Sequence, residues 1–184
     1  NPLFLFGIGV PAYFVILQRL PWMHALPPSQ TWRSVLGLNI GLALFYAPLF
    51  YFFGWSNVLW VGLPVLHIAS AAGGWLFFIQ HQFEETTWDK AEGWDFQVAA
   101  LLGSSYYKLP RVLNWFTGNI GLHHIHHLNS MIPNYRLMAC LNASPELQSI
   151  NQLSLRDSLR CARLKLWDET ERRLIRFDEL PATR

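Results

Sequence analysis

Three apolar stretches follow one another in the first half of the chain, at residues 2–18, 35–53 and 58–79. A helix needs about 20 predominantly apolar residues to cross a bilayer, and the second and third stretches meet that length. The first is shorter, is interrupted by Pro11 and opens the chain. It reads either as a half-inserted, interfacial helix over 1–20 or as part of a span. Core helices of a water-soluble protein are the competing reading. Two long uncharged runs separated by only four residues, Gly54–Asn57, argue against it. The pattern therefore predicts a membrane region over 1–80, whose helical hairpin turns within 54–57.

Beyond residue 80 the pattern changes. Pro110 and Gly118 break the stretch 81–140 into short helices. From 145 to 176, leucines and isoleucines alternate with Arg156, Arg160, Arg163, Lys165, Arg172 and Arg173. That stretch predicts one amphipathic helix, lying on head groups or packed on its own domain. The fold class expected is an all-α membrane protein: a transmembrane hairpin with a cytoplasmic helical cap over 81–184.

Composition agrees. The chain is 52% hydrophobic and 14% charged, against about 25% charged in an average soluble domain. Disorder is excluded. A net charge of +2 without a reading motif gives no case for nucleic acid. Arg19 and Arg33 are the only charges before Glu84, and every other Lys and Arg follows the hairpin. Basic residues stay cytoplasmic, which places both ends of the hairpin inside and 54–57 outside. The chain is expected to be integral to a membrane. Cys140 and Cys161 form neither a disulfide framework nor a CxxC pair. An opening at Asn1, without a charged leader or cleavage pattern, reads as a segment of a longer protein.

The chemistry concentrates in GNIGLHHIHHLNSMIPNYRL. On a helix, His123, His126 and His127 share one face within about 100° of arc, with His124 near its edge. Three imidazoles aimed at one point suit iron, zinc, copper or nickel. His81, in QHQFEETTW, follows the last apolar stretch directly. Glu84 and Glu85 stand at i+3 and i+4 from it, where a carboxylate would orient a ligand histidine. Asn119, just before the cluster, is a further polar candidate. His67 is an ionisable residue inside a span and is a candidate on that ground. His24 lies in a Pro-rich connector and suggests no chemistry. The pairs Gly7/Gly9 and Gly73/Gly74 read as helix-packing contacts.

The runs QHQFEETTWD, GNIGLHHIHHLNSMIPNYRL and SLRCARLKLWDE resemble the C-terminal half of bacterial membrane fatty acid desaturases of the omega-6 or delta-12 type. That family holds two irons with three histidine boxes on the cytoplasmic side. The resemblance places His123, His126 and His127 in the third box and His81 at an additional family histidine. The first two boxes are absent, which implies that this chain alone is inactive. The resemblance further implies half of a four-helix fold, a place in the bacterial inner membrane, O2 as co-substrate and an acyl lipid or acyl thioester as substrate. It implies formation of a cis double bond, with electrons from ferredoxin or cytochrome b5. Membrane hydroxylases of acyl, alkane or carotenoid substrates share such boxes and remain an alternative. So does a non-catalytic membrane protein binding haem or metal.

Overall fold

The structure is a computed structural model that describes residues 1–20, 28–90 and 92–180. His24 and the connector around it lie outside the described residues. The chain divides into two compact units, Asn1–Trp75 and Leu76–Arg184.

The first unit is helical. α1 (Pro2–Phe4), a π-turn (Leu5–Gly9), α2 (Val10–Val15) and a 3₁₀ turn (Leu17–Arg19) run together. α3 (Pro28–Phe53) follows, then α4 (Trp55–His81), which continues into the second unit. Among the described residues, three segments are long and apolar enough to cross a membrane: Pro2–Arg19, Ser29–Phe53 and Trp55–His81. The first is more continuous than a Pro11-broken pattern suggests: the π-turn carries the helix up to Val10, and Pro11 falls in the first turn of α2. Tyr51, Phe52, Trp60 and Val61 all stand exposed. Apolar faces of that extent are unfavourable in water and ordinary in lipid, where a helix satisfies its own backbone.

The link between α3 and α4 is shorter than expected. Only Gly54 interrupts the helices, at φ +76°, a left-handed conformation open to glycine at little cost. Trp55 resumes the helix and stacks on Phe50 at 4.0 Å between ring centroids. Of the four expected packing glycines, Gly74 alone is tightly enclosed, since a Cβ there would overlap the Val10 side chain. Gly7 and Gly73 have open space around them.

The second unit is built from short elements. After α4 come α5 (Phe96–Leu102), β1 (Tyr106–Tyr107), α6 (Arg111–Phe116), α7 (His123–Leu128), α8 (Leu137–Ala143) and α9 (Pro145–Gln148). Then follow β2 (Gln152–Leu153), α10 (Leu155–Cys161), β3 (Leu166–Asp168) and β4 (Arg173–Ile175). β1 pairs in parallel with β2, Tyr106 opposite Gln152. β3 and β4 form an antiparallel hairpin, Leu166 opposite Ile175. The core joins Leu122, Ile125, Leu137 and Leu141, with Tyr106, Ile132 and Leu147 against it.

The amphipathic helix expected over 145–176 is not formed. Asn151 takes a left-handed φ of 37° and ends the first segment. Ser154 starts a new helix through a reciprocal capping box with Asp157. Asp168 then accepts hydrogen bonds from the N–H groups of Thr170 and Glu171, which turns the chain back as a hairpin. Local side-chain caps outcompete a helical periodicity that was only approximate. The leucines consequently part company: Leu164 and Leu174 are buried, whereas Leu159 is 65% exposed.

Leu141→Ala is expected to destabilise the second unit by about 2–5 kcal/mol, and Leu159→Ala by under about 0.5 kcal/mol. Denaturant unfolding of the detergent-solubilised protein checks both. Equal effects would contradict the core described.

Candidate metal centre

Three histidines meet in the second unit. His81 is the last residue of α4, and His123 and His127 stand one turn apart on α7. His123 Nε2 lies 3.0 Å from His81 Nε2 and 3.1 Å from His127 Nε2. One ring nitrogen from each of the three falls within 4.8 Å of the others.

Neighbouring segments hold the rings in place. His81 Nδ1 donates to the Gly103 carbonyl at 3.1 Å, so its Nε2 carries the lone pair toward the other rings. Gln80, buried at the preceding position, donates from Nε2 to the Ile120 carbonyl at 2.7 Å. The Gln80 carbonyl in turn accepts from Ser105 N–H at 3.0 Å. One residue thereby ties the end of α4 both to the loop carrying Gly103 and to the loop leading into α7. Gly121 lies against β1, whose Tyr107 N–H donates to the Gly121 carbonyl at 2.8 Å. A Cβ at Gly121 would run into the Tyr107 carbonyl, so the approach of β1 to this loop requires glycine.

The electrostatics favour neutral rings. Burial first, then repulsion from His81, His127 and the other cluster histidines, pushes the His123 pKa down from 6.5 to about 3. Burial is also the main cause of the lowered His127 pKa. With His81 fixed as the Nδ1–H tautomer, His123 Nε2 must bring the proton between those two rings. That one proton is then all that separates three Nε2 atoms. His123 Nδ1 is buried with no hydrogen-bond partner among the described residues. A cation bound by three lone pairs satisfies this arrangement better than a shared proton. The donor set, three neutral imidazoles, fits a first-row transition metal.

The other candidates fall in different places. His126 is not part of the converging group; its ring stacks on His123 at 5.6 Å between centroids. His124 is fully buried and serves the core, its Nε2 donating to the Leu147 carbonyl at 3.0 Å. Glu84 and Glu85 do not orient His81. α4 ends at His81, so the assumed helical spacing is lost, and the Gly103 carbonyl takes the role expected of a carboxylate. Glu84 pairs instead with Arg173 at 3.0 Å, and Glu85 is exposed. Asn119 shapes a turn at φ 57° and donates to the Asn134 carbonyl at 3.1 Å, which links the GNIG turn to IPNYR. His67 belongs to the first unit, in an apolar cleft with Gly7 and Pro11. Gln80 and Gly103 carry no signal in the sequence, because their contribution comes from chain segments brought together by folding.

The fold and the converging imidazoles define a helical membrane protein with a histidine-rich site suited to a metal. Comparison with known proteins gives the family: the fatty acid desaturase model matches residues 2–152, and the chain belongs to that family. A curated relative, "Fatty acid desaturase" of Bacillus subtilis (strain 168), is 34% identical over 177 residues. The match covers 96% of this chain and 50% of the relative, so the chain spans about half that protein's length. No solved structure matches.

The His123 shift sets a pH dependence for the metal-free protein. Its folded pKa is lowered, so the unfolded chain binds more protons between about pH 3 and 6.5. The stability contributed by neutral His123 is complete above pH 6.5 and is lost as pH falls toward 3. Denaturation midpoints are therefore expected to be lower at pH 5 than at pH 7.5, and the difference to shrink in His123→Phe. Equal midpoints at the two pH values would refute the assignment.

Proposed function

We propose that this chain is part of an O2-dependent di-iron acyl desaturase that introduces a cis double bond into a fatty acyl chain. The observation that carries the reading is the convergence of His81, His123 and His127, in a chain of the desaturase family. His126, stacked on His123, is assigned as a fourth ligand of the pair of irons. Four imidazoles are too few for two metal ions, so the proposal places the remaining ligands outside this chain.

Iron with O2 supplies the oxidising power that removal of hydrogen from an unactivated methylene requires, which no side chain provides. The protein's own contribution is positional. The Gly103 carbonyl holds the His81 tautomer, and burial keeps His123 neutral and able to bind. Gln80 keeps the two histidine-bearing segments in register. The apolar spans keep the enzyme in the bilayer, where acyl chains are. Two electrons per turnover come from a donor of the ferredoxin or cytochrome b5 kind, and the substrate is an acyl lipid or acyl thioester.

In the full-length enzyme, His123→Ala and His127→Ala are expected to lose bound iron and reduce unsaturated product to background while membrane insertion persists. Iron content and fatty acid profiles of expressing cells measure both. Full activity in either variant removes the metal assignment. A hydroxylated product in the wild type would reassign the chemistry to hydroxylation. His124→Ala is expected to lower stability and to reduce activity only in part.

The proposal also places the protein in the bacterial inner membrane, in keeping with its bacterial relative, and from the distribution of basic residues it puts the histidines on the cytoplasmic side and the Gly54 turn outside. A cysteine introduced at the exposed Ser56 is expected to react with an impermeant thiol reagent in intact cells. Labelling only after lysis would invert this topology.

A further inference from the structure

The C-terminal hairpin shows a contrast in its cations. Arg172 pairs with Asp89 at 2.8 Å, Arg173 with Glu84 at 3.0 Å, and the following Arg176 with Glu179 at 2.9 Å. Lys165, one residue before β3, makes no ion pair among the described residues. Its ammonium instead lies over the Phe78 ring, 4.7 Å from the centroid, a cation–π contact. Phe78 and His81 are three residues apart on α4, so they share a face.

Lys165 and His81 also line one cavity of about 560 Å³. Its apolar wall includes Trp88 and Trp167, whose rings meet edge to face at 6.3 Å. Gln82 lines it too, and the Gln82 side-chain oxygen is buried with no hydrogen-bond partner among the described residues. The amide can turn either its oxygen or its nitrogen toward a ligand. Glu169 is the one carboxylate among the lining residues, and it is exposed at the hairpin turn, where solvent screens it.

A half-buried ammonium without a counter-ion, a polar amide without a partner and two indole walls together complement one kind of molecule: an apolar body with an anionic end. We propose that this cavity seats the anionic head of the acyl substrate, carboxylate or phosphate, on Lys165, with the adjoining methylenes against Trp88 and Trp167. The identity of the apolar body rests on the desaturase reading above, whereas the cation and its cavity do not. The head group bound there lies in the same cavity as His81 and so sets where the acyl chain enters relative to the metal.

The test uses the full-length protein in neutral detergent and needs neither iron nor turnover. Energy transfer from tryptophan to cis-parinaric acid, a fluorescent fatty acid, reports binding, and its methyl ester reports partition without charge. Lys165→Gln is expected to weaken binding of the acid about tenfold, the order of a charge-assisted hydrogen bond, and to leave the ester unchanged. Lys165→Arg should restore the acid to within about twofold. The backbone N–H of Lys165 donates to the Ile175 carbonyl, a bond that does not use the substituted side chain, so the hairpin is expected to persist in both variants.

Displacement of the probe by palmitate but not by lysophosphatidic acid assigns a carboxylate head, and the reverse assigns a phosphate. Equal affinity of Lys165→Gln and wild type for the acid overturns the proposal, as does an equal loss for acid and ester. His127→Ala separates the two readings. Loss of iron with parinaric acid binding retained supports both. Wild type that holds no iron but binds the acid through Lys165 removes the desaturase reading alone.

Discussion

An imidazole lone pair facing two others at about 3 Å is unfavourable unless a proton or a cation stands between them. His81, His123 and His127 are held in that relation by the protein, at 3.0 and 3.1 Å. Burial makes each additional proton costly, as the His123 pKa of about 3 expresses. Much of the second unit is arranged to maintain this crowding: the end of α4 brings His81, α7 brings the other two, and the segments around them supply hydrogen bonds that fix ring and backbone. A site of this kind is preorganised for a metal, because the unfavourable approach of the ligands is made during folding and not at binding.

The supports for the site are mostly backbone groups. Gly103 and Ile120 offer carbonyls, Ser105 an N–H, and Gly121 the close approach that a side chain would prevent. From the sequence, His124 stands near the edge of the face that His123, His126 and His127 share. It is buried in the structure, where its bond to the Leu147 carbonyl holds α7 against the segment that follows α8. Adjacent residues on one short helix thus divide between the converging histidine group and the core, because a helix turns about 100° per residue.

The C-terminal hairpin ties the segment that leaves α4. Leu174 N–H donates to the Glu84 carbonyl, and Arg173 bridges Glu84 and Glu179. Exposed ion pairs contribute little to stability individually, so the burial of Leu174 and Ile175 must hold the hairpin in place. The pairs give it direction: the arginines are committed to carboxylates, and Lys165 is left facing the cavity that it shares with His81.

The sequence by itself determined the membrane character, the division between an uncharged first half and a charged second half, and the histidines worth examining. Those properties follow from composition, length and local spacing, which need no tertiary contact. His123 and His127 were legible as a pair because a helical turn brings i and i+4 together. Their partnership with His81 was legible only through family resemblance, since 42 residues separate His81 from His123. Folding alone decided that His126 stands outside the converging group, that Gly103 and not Glu84 or Glu85 orients His81, and that 145–176 breaks into short helices and a hairpin. In each case a local pattern met a competing interaction, a helix end, a backbone carbonyl or a side-chain cap. Which interaction prevails depends on what the rest of the chain brings alongside.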